Sequence, residues 1–348
     1  MTLTTSFERV SLPLERDFEI ARGTTTTAEN VVVRVEDEAG TVGVGAAAPS
    51  AHYGETADTV AAVLPELLAV VERVDDPHAL AEIERALRGV VERNPAARCA
   101  VSIACHDLAA KRLGVPLYRL WGLDPTRTPT SSYTIGLDDT EVMREKAAEA
   151  VDRGYGVLKT KLGTDRDREI VAAVREAAPD ARLRVDANEA WTPREAVANA
   201  EWLAEFDVEF LEQPVSADDP EGLRFVYERS PLPVAADESV ETAADVPQVA
   251  DRCDVANLKL MKCGGLAEAR RAIHTAHAHG LEVMLGCMIE TNAAIAAACH
   301  LGPLLEYADL DGSLLLAEDP FDGVPLPDGE IDLTACECPG TGAVERDG

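Results

Sequence analysis

The chain has 348 residues, 46% of them hydrophobic, and its 63 acidic against 32 basic side chains give a formal net charge of −31. That length supports a large core and more than one structural unit, while the excess acid argues against nucleic acid or an anionic membrane surface as a partner. No apolar run is long enough for a membrane span, and MTLTTSFERV lacks the charged and apolar regions of a secretory leader, so a soluble cytoplasmic protein is expected.

From 1 to 125, strand-like stretches (NVVVRVED, TVGVGAAAP) precede helical ones (TADTVAAVLPELLAVVERV, LAEIERALRGVVER, AARCAVSIACHDLAAKRLG), which predicts an α+β lobe. GLDPTRTPT then reads as a linker. From 126 to 319 a unit repeats: SSYTIGL, GVLKTKL, RLRVDAN, VEFLEQP, LPVAADE, VANLKL, EVMLGC and YADLDG are short apolar segments. Helical stretches such as REIVAAVREAAP, PREAVANAEWLAEF and LAEARRAIHTAHAHG separate most of them. Strand and helix alternating at a period of about 25 residues predict a parallel β/α barrel. Residues 320–348 are rich in proline and glycine and are expected to fold back and complete the first lobe.

Two composition features bear on chemistry. Only six basic residues are lysine, at 111, 146, 159, 161, 259 and 262, and four of these fall in two strand-like segments where burial is costly. Scarce lysine with abundant Asp and Glu resembles proteins of salt-loving organisms, whose cytoplasm screens such repulsion. The eight cysteines form no CxxC pair and are expected to be reduced and packed, with Cys336 and Cys338 the one close pair. His274, His277 and His279 fall on a helical stretch away from the strand ends.

Lys159 and Lys161, Asp186, Glu212, Asp237 and Lys259 each close a successive strand, at intervals of 25, 26, 25 and 22 residues counted from Lys161. In a β/α barrel those ends share one mouth, where active sites are built. Period-2 alternation puts Lys159 and Lys161 on one face of their strand. Three carboxylates on adjacent strands make an all-oxygen site suited to Mg²⁺ or Mn²⁺. Positive charge nearby would lower the proton affinity of the lysines toward the range of a base. The structural alternative is a set of lysine–carboxylate bridges holding the barrel together.

The stretches KTK (159–161), DANEAW (186–191), EQP (212–214), ADES (236–239) and NLKLMKCGG (257–265) together resemble the enolase superfamily, in its muconate-lactonizing branch. That resemblance implies a modified (β/α)₇β barrel with an α+β capping domain. It implies Mg²⁺ on Asp186, Glu212 and Asp237, and Lys161 and Lys259 as acid/base catalysts on opposite substrate faces. Lys159 would tune Lys161 and help stabilise an enolate. Lys259 is preferred to Lys262 as the second base because it alternates in phase with Asn257, whereas Lys262 is expected in the following loop. Ala46, in GVGAAAP, departs from the glutamate expected of many relatives.

Superfamily membership alone leaves the reaction open, since lyases, lactonizing enzymes and racemases share these lysines. YADLDG (307–312) and MLGCMIET (284–291) resemble the dipeptide epimerases, which implies that Asp309 and Asp311 hold the free ammonium of a dipeptide. Thr134 is expected to touch the substrate backbone, and Arg22, in FEIARGTTTT, to pair with an acidic side chain such as that of Ala-Glu. The expected activity is inversion of the α-carbon of the C-terminal residue of an L-dipeptide, by an enzyme that is free to form a homo-oligomer. The alternatives are an o-succinylbenzoate synthase, an N-acylamino acid racemase or a muconate cycloisomerase, and, outside enzymes, a metal-binding barrel without catalysis.

Overall fold

The computed structural model describes residues 2–336 and 338–346. Strands β1 (Thr4–Ile20) and β2 (Gly23–Glu36) form a long antiparallel hairpin, and β3 (Val42–Ala47) pairs with the other edge of β2. The β1–β2 register shifts between Pro13 and Phe18; proline brings no N–H to the ladder, so a break there costs little. Helices Ala57–Val74, Leu80–Val90 and Pro95–Leu113 follow. The third lies against β3, and the contact runs through Gly43 and Gly45. A Cβ on Gly43 would stand 2.2 Å from the Ala104 carbonyl oxygen, and one on Gly45 would stand 2.3 Å from that of Ala100. Ala46, between this contact and the β2 ladder, is fully buried.

Eight parallel strands then form the barrel in chain order: β4 (Tyr133–Ile135), β5 (Val157–Lys161), β6 (Arg182–Asp186), β7 (Val208–Glu212), β8 (Val234–Ala236), β9 (Val255–Lys259), β10 (Glu282–Gly286) and β11 (Tyr307–Asp309). The Ser132 N–H donates to the Ala308 carbonyl at 3.0 Å, bringing the last strand beside the first. Helical segments join every consecutive pair, although the β8–β9 connection has only the single turn Val246–Val249. The result is a modified (β/α)₇β barrel with an α+β capping domain. Arg184, two residues before Asp186 and so on the same face of β6, fills the interior below the mouth. It donates to Glu209 at 2.7 Å and to the Ala308 carbonyl at 3.0 Å, with its guanidinium 5.2 and 5.1 Å from the Phe210 and Tyr307 ring centroids.

The C-terminal stretch contributes a small ladder, β12 (Phe321–Asp322) with β13 (Val344–Glu345). Its docking point is buried Asp107 on helix Pro95–Leu113, whose carboxylate accepts the Val44 N–H at 2.8 Å and the Thr341 N–H at 2.7 Å. One side chain thus fastens β3, the helix and the tail together. The cysteines are free thiols, six of them buried, with Cys287 partly covered and Cys338 exposed; Glu337 between the tail pair lies outside the described residues. Among the described residues no helix is long and apolar enough to cross a membrane.

Candidate active site

The strand ends bring the predicted charges to one place. Asp186 and Glu212 end β6 and β7, Asp237 follows β8 directly, and all three side chains are inaccessible to solvent. One carboxylate oxygen from each can be chosen so that the three lie within 4.8 Å of one another. Three buried oxygen donors at that spacing, on rigid strands, fit a hard divalent cation. Burial and then the charge of Asp186 push Glu212 up to about 8, as expected where carboxylates crowd together. Burial acts on Asp186 in the same direction, but Lys161 and Lys159 outweigh it and hold Asp186 below the usual carboxylate range.

The lysines stand on both sides of this triad. Lys161 Nζ donates to Asp186 Oδ2 at 2.6 Å from the β5 side, and Lys259 Nζ donates to Asp237 Oδ2 at 2.8 Å from the β9 side. Both line a cavity of about 900 Å³ between barrel and cap. Lys159, one layer deeper, lies 2.8 Å from Glu212 Oε2, 2.7 Å from Asp309 Oδ2 and 3.3 Å from Asp186 Oδ2. Burial lowers its proton affinity, but Asp309, Glu212 and Asp186 together raise it well above that of an ordinary lysine. Burial also works against the charge on Lys259, and there Asp237 and Glu238 prevail, again upward.

Lys262 is not the loop residue the sequence predicts. It lies in the one-turn helix Leu260–Cys263, and its Nζ is enclosed by the Asp237 carboxylate and carbonyl, both at 2.6 Å, the Val240 carbonyl at 2.9 Å and the Asn257 carbonyl at 3.0 Å. With its donors spent and its side chain sealed, it positions Asp237 and presents nothing to the cavity.

Asp309 and Asp311, at the end of β11 and just beyond it, line the same cavity. Ser132 Oγ donates to Asp309 Oδ1 at 2.6 Å and the Thr134 N–H to Asp311 Oδ2 at 2.6 Å, so β4 and the residue before it set the orientation of both. Burial and then the charge of Asp309 push Asp311 up to about 7, which marks a place where a cation would be welcome. Thr134 also lines the cavity. So does Arg22, whose guanidinium contacts Glu238 at 2.7 Å and Glu189 at 3.1 Å.

The sequence reading missed several residues that orient these groups. Asn257 Nδ2 donates to Glu212 Oε1 at 2.8 Å, Asn188 N–H to Asp186 Oδ1 at 2.8 Å, and Gln213 Oε1 accepts the Asp237 N–H at 2.9 Å. Each lies within two residues of a strand-end charge, in a quoted motif, and that adjacency is the signal that could have found them. Ser132 carried no such signal. His274, His277 and His279 are exposed on and just beyond helix Leu266–Ala278, away from the cavity.

A capped barrel whose central strands end in a carboxylate triad, flanked by lysines from the strands on either side, defines a class of enzymes that handle protons beside a metal-held carboxylate. The chain belongs to the mandelate racemase/muconate lactonizing enzyme family of the enolase superfamily: residues 3–122 match its N-terminal domain and residues 142–346 the enolase C-terminal domain-like model. It is 38% identical over 341 residues to the L-Ala-D/L-Glu epimerase of Bacteroides thetaiotaomicron, covering 98% of this chain and 87% of that protein. It superposes on the crystal structure of a dipeptide epimerase from Enterococcus faecalis complexed with Mg and L-Leu-L-Tyr with a TM-score of 0.93, at 35% identity, covering 99% of this chain and 100% of that one. A dipeptide epimerase from Methylococcus capsulatus, complexed with Mg and L-Arg-D-Lys, gives 0.91 at 35% identity, covering 99% and 100%.

Proposed function

We propose that the protein is a Mg²⁺-dependent dipeptide epimerase that inverts the α-carbon of the C-terminal residue. The observation that carries this reading is the placement of two lysine ammonium groups on opposite sides of one carboxylate triad, with a second carboxylate pair across the same cavity. Asp186, Glu212 and Asp237 would hold the cation, with Mn²⁺ an acceptable substitute on donor chemistry. Bound there, Mg²⁺ supplies positive charge beside the substrate carboxylate and makes the neighbouring α-proton easier to remove.

The remaining work falls to the chain itself. Lys161, as the neutral amine, takes the proton from one face while Lys259, as the ammonium, delivers one to the other, and the roles and protonation states reverse for the opposite epimer. Lys159 stays protonated among its carboxylates and keeps a fixed positive charge beside the triad. Asp309 and Asp311 receive the substrate ammonium, and Thr134 lies beside the peptide backbone. An N-acylated amino acid has no cation to offer this pair, and desolvating two carboxylates against a neutral amide is unfavourable. A net charge of −31 fits a small-molecule substrate rather than nucleic acid, and the acid-rich, lysine-poor composition fits a cytoplasm of high salt.

The test is a library of L,L-dipeptides incubated with the Mg²⁺-loaded protein in D₂O and read by mass gain. Deuterium entering the C-terminal α-carbon is expected for free dipeptides and not for their N-acetyl forms. Equal exchange with acetylated substrates would transfer the reading to an N-acylamino acid racemase.

A further inference from the structure

Arg22 occupies the tip of the β1–β2 hairpin, between Ile20 and Gly23, and reaches across the cavity mouth into the barrel. Its Nη2 donates to Glu238 Oε1 at 2.7 Å; its Nη1 donates to Glu189 Oε2 at 3.1 Å and to the Asn188 carbonyl at 3.3 Å. Glu238 lies in the loop after β8 and Glu189 in the loop after β6, so a single guanidinium ties the cap to two barrel loops. The carboxylates it meets outnumber it. Glu238 Oε2 is buried with no hydrogen-bond partner, and Glu189 Oε2 also has His52 Nε2 at 3.6 Å. The positive charge of Arg22 is therefore already spent on the protein.

Its position decides which part of a substrate would meet this cluster. A dipeptide with its ammonium at Asp309 and Asp311 and its carboxylate over Asp186, Glu212 and Asp237 runs from the β11 side of the mouth to the β6–β8 side. Glu189 and Glu238 follow Asp186 and Asp237 by three residues and one, so Arg22 and its two glutamates flank that second end, near the carbon from which the C-terminal side chain branches. A second carboxylate arriving there meets a guanidinium whose charge is already taken by two glutamates packed behind it, and the like charge of those glutamates disfavours it.

We propose that Arg22 is a latch that positions the hairpin tip over the barrel, and that the C-terminal side-chain subsite admits uncharged or cationic residues and rejects acidic ones. This substrate class rests on the epimerase reading; the latch does not. Exchange in D₂O with the Mg²⁺-loaded protein should give kcat/KM for L-Ala-L-Glu at least about tenfold below that for L-Ala-L-Leu or L-Ala-L-Lys. Arg22→Ala should lower kcat/KM for the leucine and lysine substrates by similar factors, chiefly through KM, with part recovered in Arg22→Lys. Glu189→Gln, which removes one negative charge, should narrow the gap against L-Ala-L-Glu. A wild-type preference for L-Ala-L-Glu, lost alone in Arg22→Ala, would overturn the proposal. Should no dipeptide exchange at all, the epimerase reading falls and the latch is judged by amide hydrogen exchange: faster exchange across residues 18–25 in Arg22→Ala upholds it, and unchanged exchange refutes it.

Discussion

Two lysines three positions apart show how burial separates chemistry from scaffolding. Lys262 gives its ammonium to four acceptors and has no access to the cavity, whereas Lys259 has one carboxylate partner and lines it. Lys262→Ala would leave the Asp237 carboxylate and three backbone carbonyls short of a donor; breaking a buried pair of this kind costs about 3–5 kcal/mol. A large fall in melting temperature, with weakened Mg²⁺ binding, is expected. Lys259→Ala should melt close to the wild type and lose net epimerisation. If the two variants exchanged these behaviours, the second base would be misplaced by one helical turn. Glu212→Gln removes one anionic donor at nearly constant size, and Mg²⁺ titrated by calorimetry should bind at least about tenfold more weakly; equal affinity would exclude Glu212 as a ligand.

Between elements, the cap depends on two close contacts. Because β3 meets helix Pro95–Leu113 at Gly43 and Gly45 with no room for a Cβ, Gly45→Ala should destabilise the protein by about 1–3 kcal/mol. An unchanged denaturant midpoint would show that the strand can move away without cost. The loop carrying His52 is held to the N-terminus of the same helix by buried Glu55, whose carboxylate accepts the Ala96 N–H at 3.2 Å. Burial pushes Glu55 up to about 7, against an ordinary value of 4.5. A carboxyl raised on folding has its proton retained by the native state, so its cost to stability is absent below pH 4.5, grows as pH rises and is complete above about 7. Relative to the wild type, Glu55→Gln should therefore gain about 1.4 kcal/mol per pH unit across that window. Urea midpoints of both proteins at several pH values would show it, and parallel curves would contradict it. The sequence exposed the strand-end charges because each closes a period-2 run at a barrel-like interval. It hid what Arg22 and Lys262 do. The two carboxylates on Arg22 lie 167 and 216 positions away in the chain, and the enclosure of Lys262 depends on main-chain carbonyls that no side-chain pattern reports.

At the scale of the whole molecule, two features follow from chain closure and charge. A net charge of −31 repels itself in the compact state, so melting temperature should rise as KCl is raised from low to molar concentrations; a fall would show that specific ion pairs dominate instead. Closure of the eight-stranded barrel sets β5 and β9 on either side of β6, β7 and β8, and so holds Lys161 and Lys259 at opposite flanks of the triad. In the proposed mechanism every net inversion requires both. The most direct test is α-proton exchange in D₂O, in the presence of Mg²⁺, for Lys161→Ala and Lys259→Ala, each offered the L,L and the L,D epimer of one dipeptide. Neither variant should interconvert the epimers, and each should exchange the α-proton of only one of them, the opposite one in each case. Exchange of both epimers by either variant, or full epimerisation by both, would contradict the two-sided arrangement.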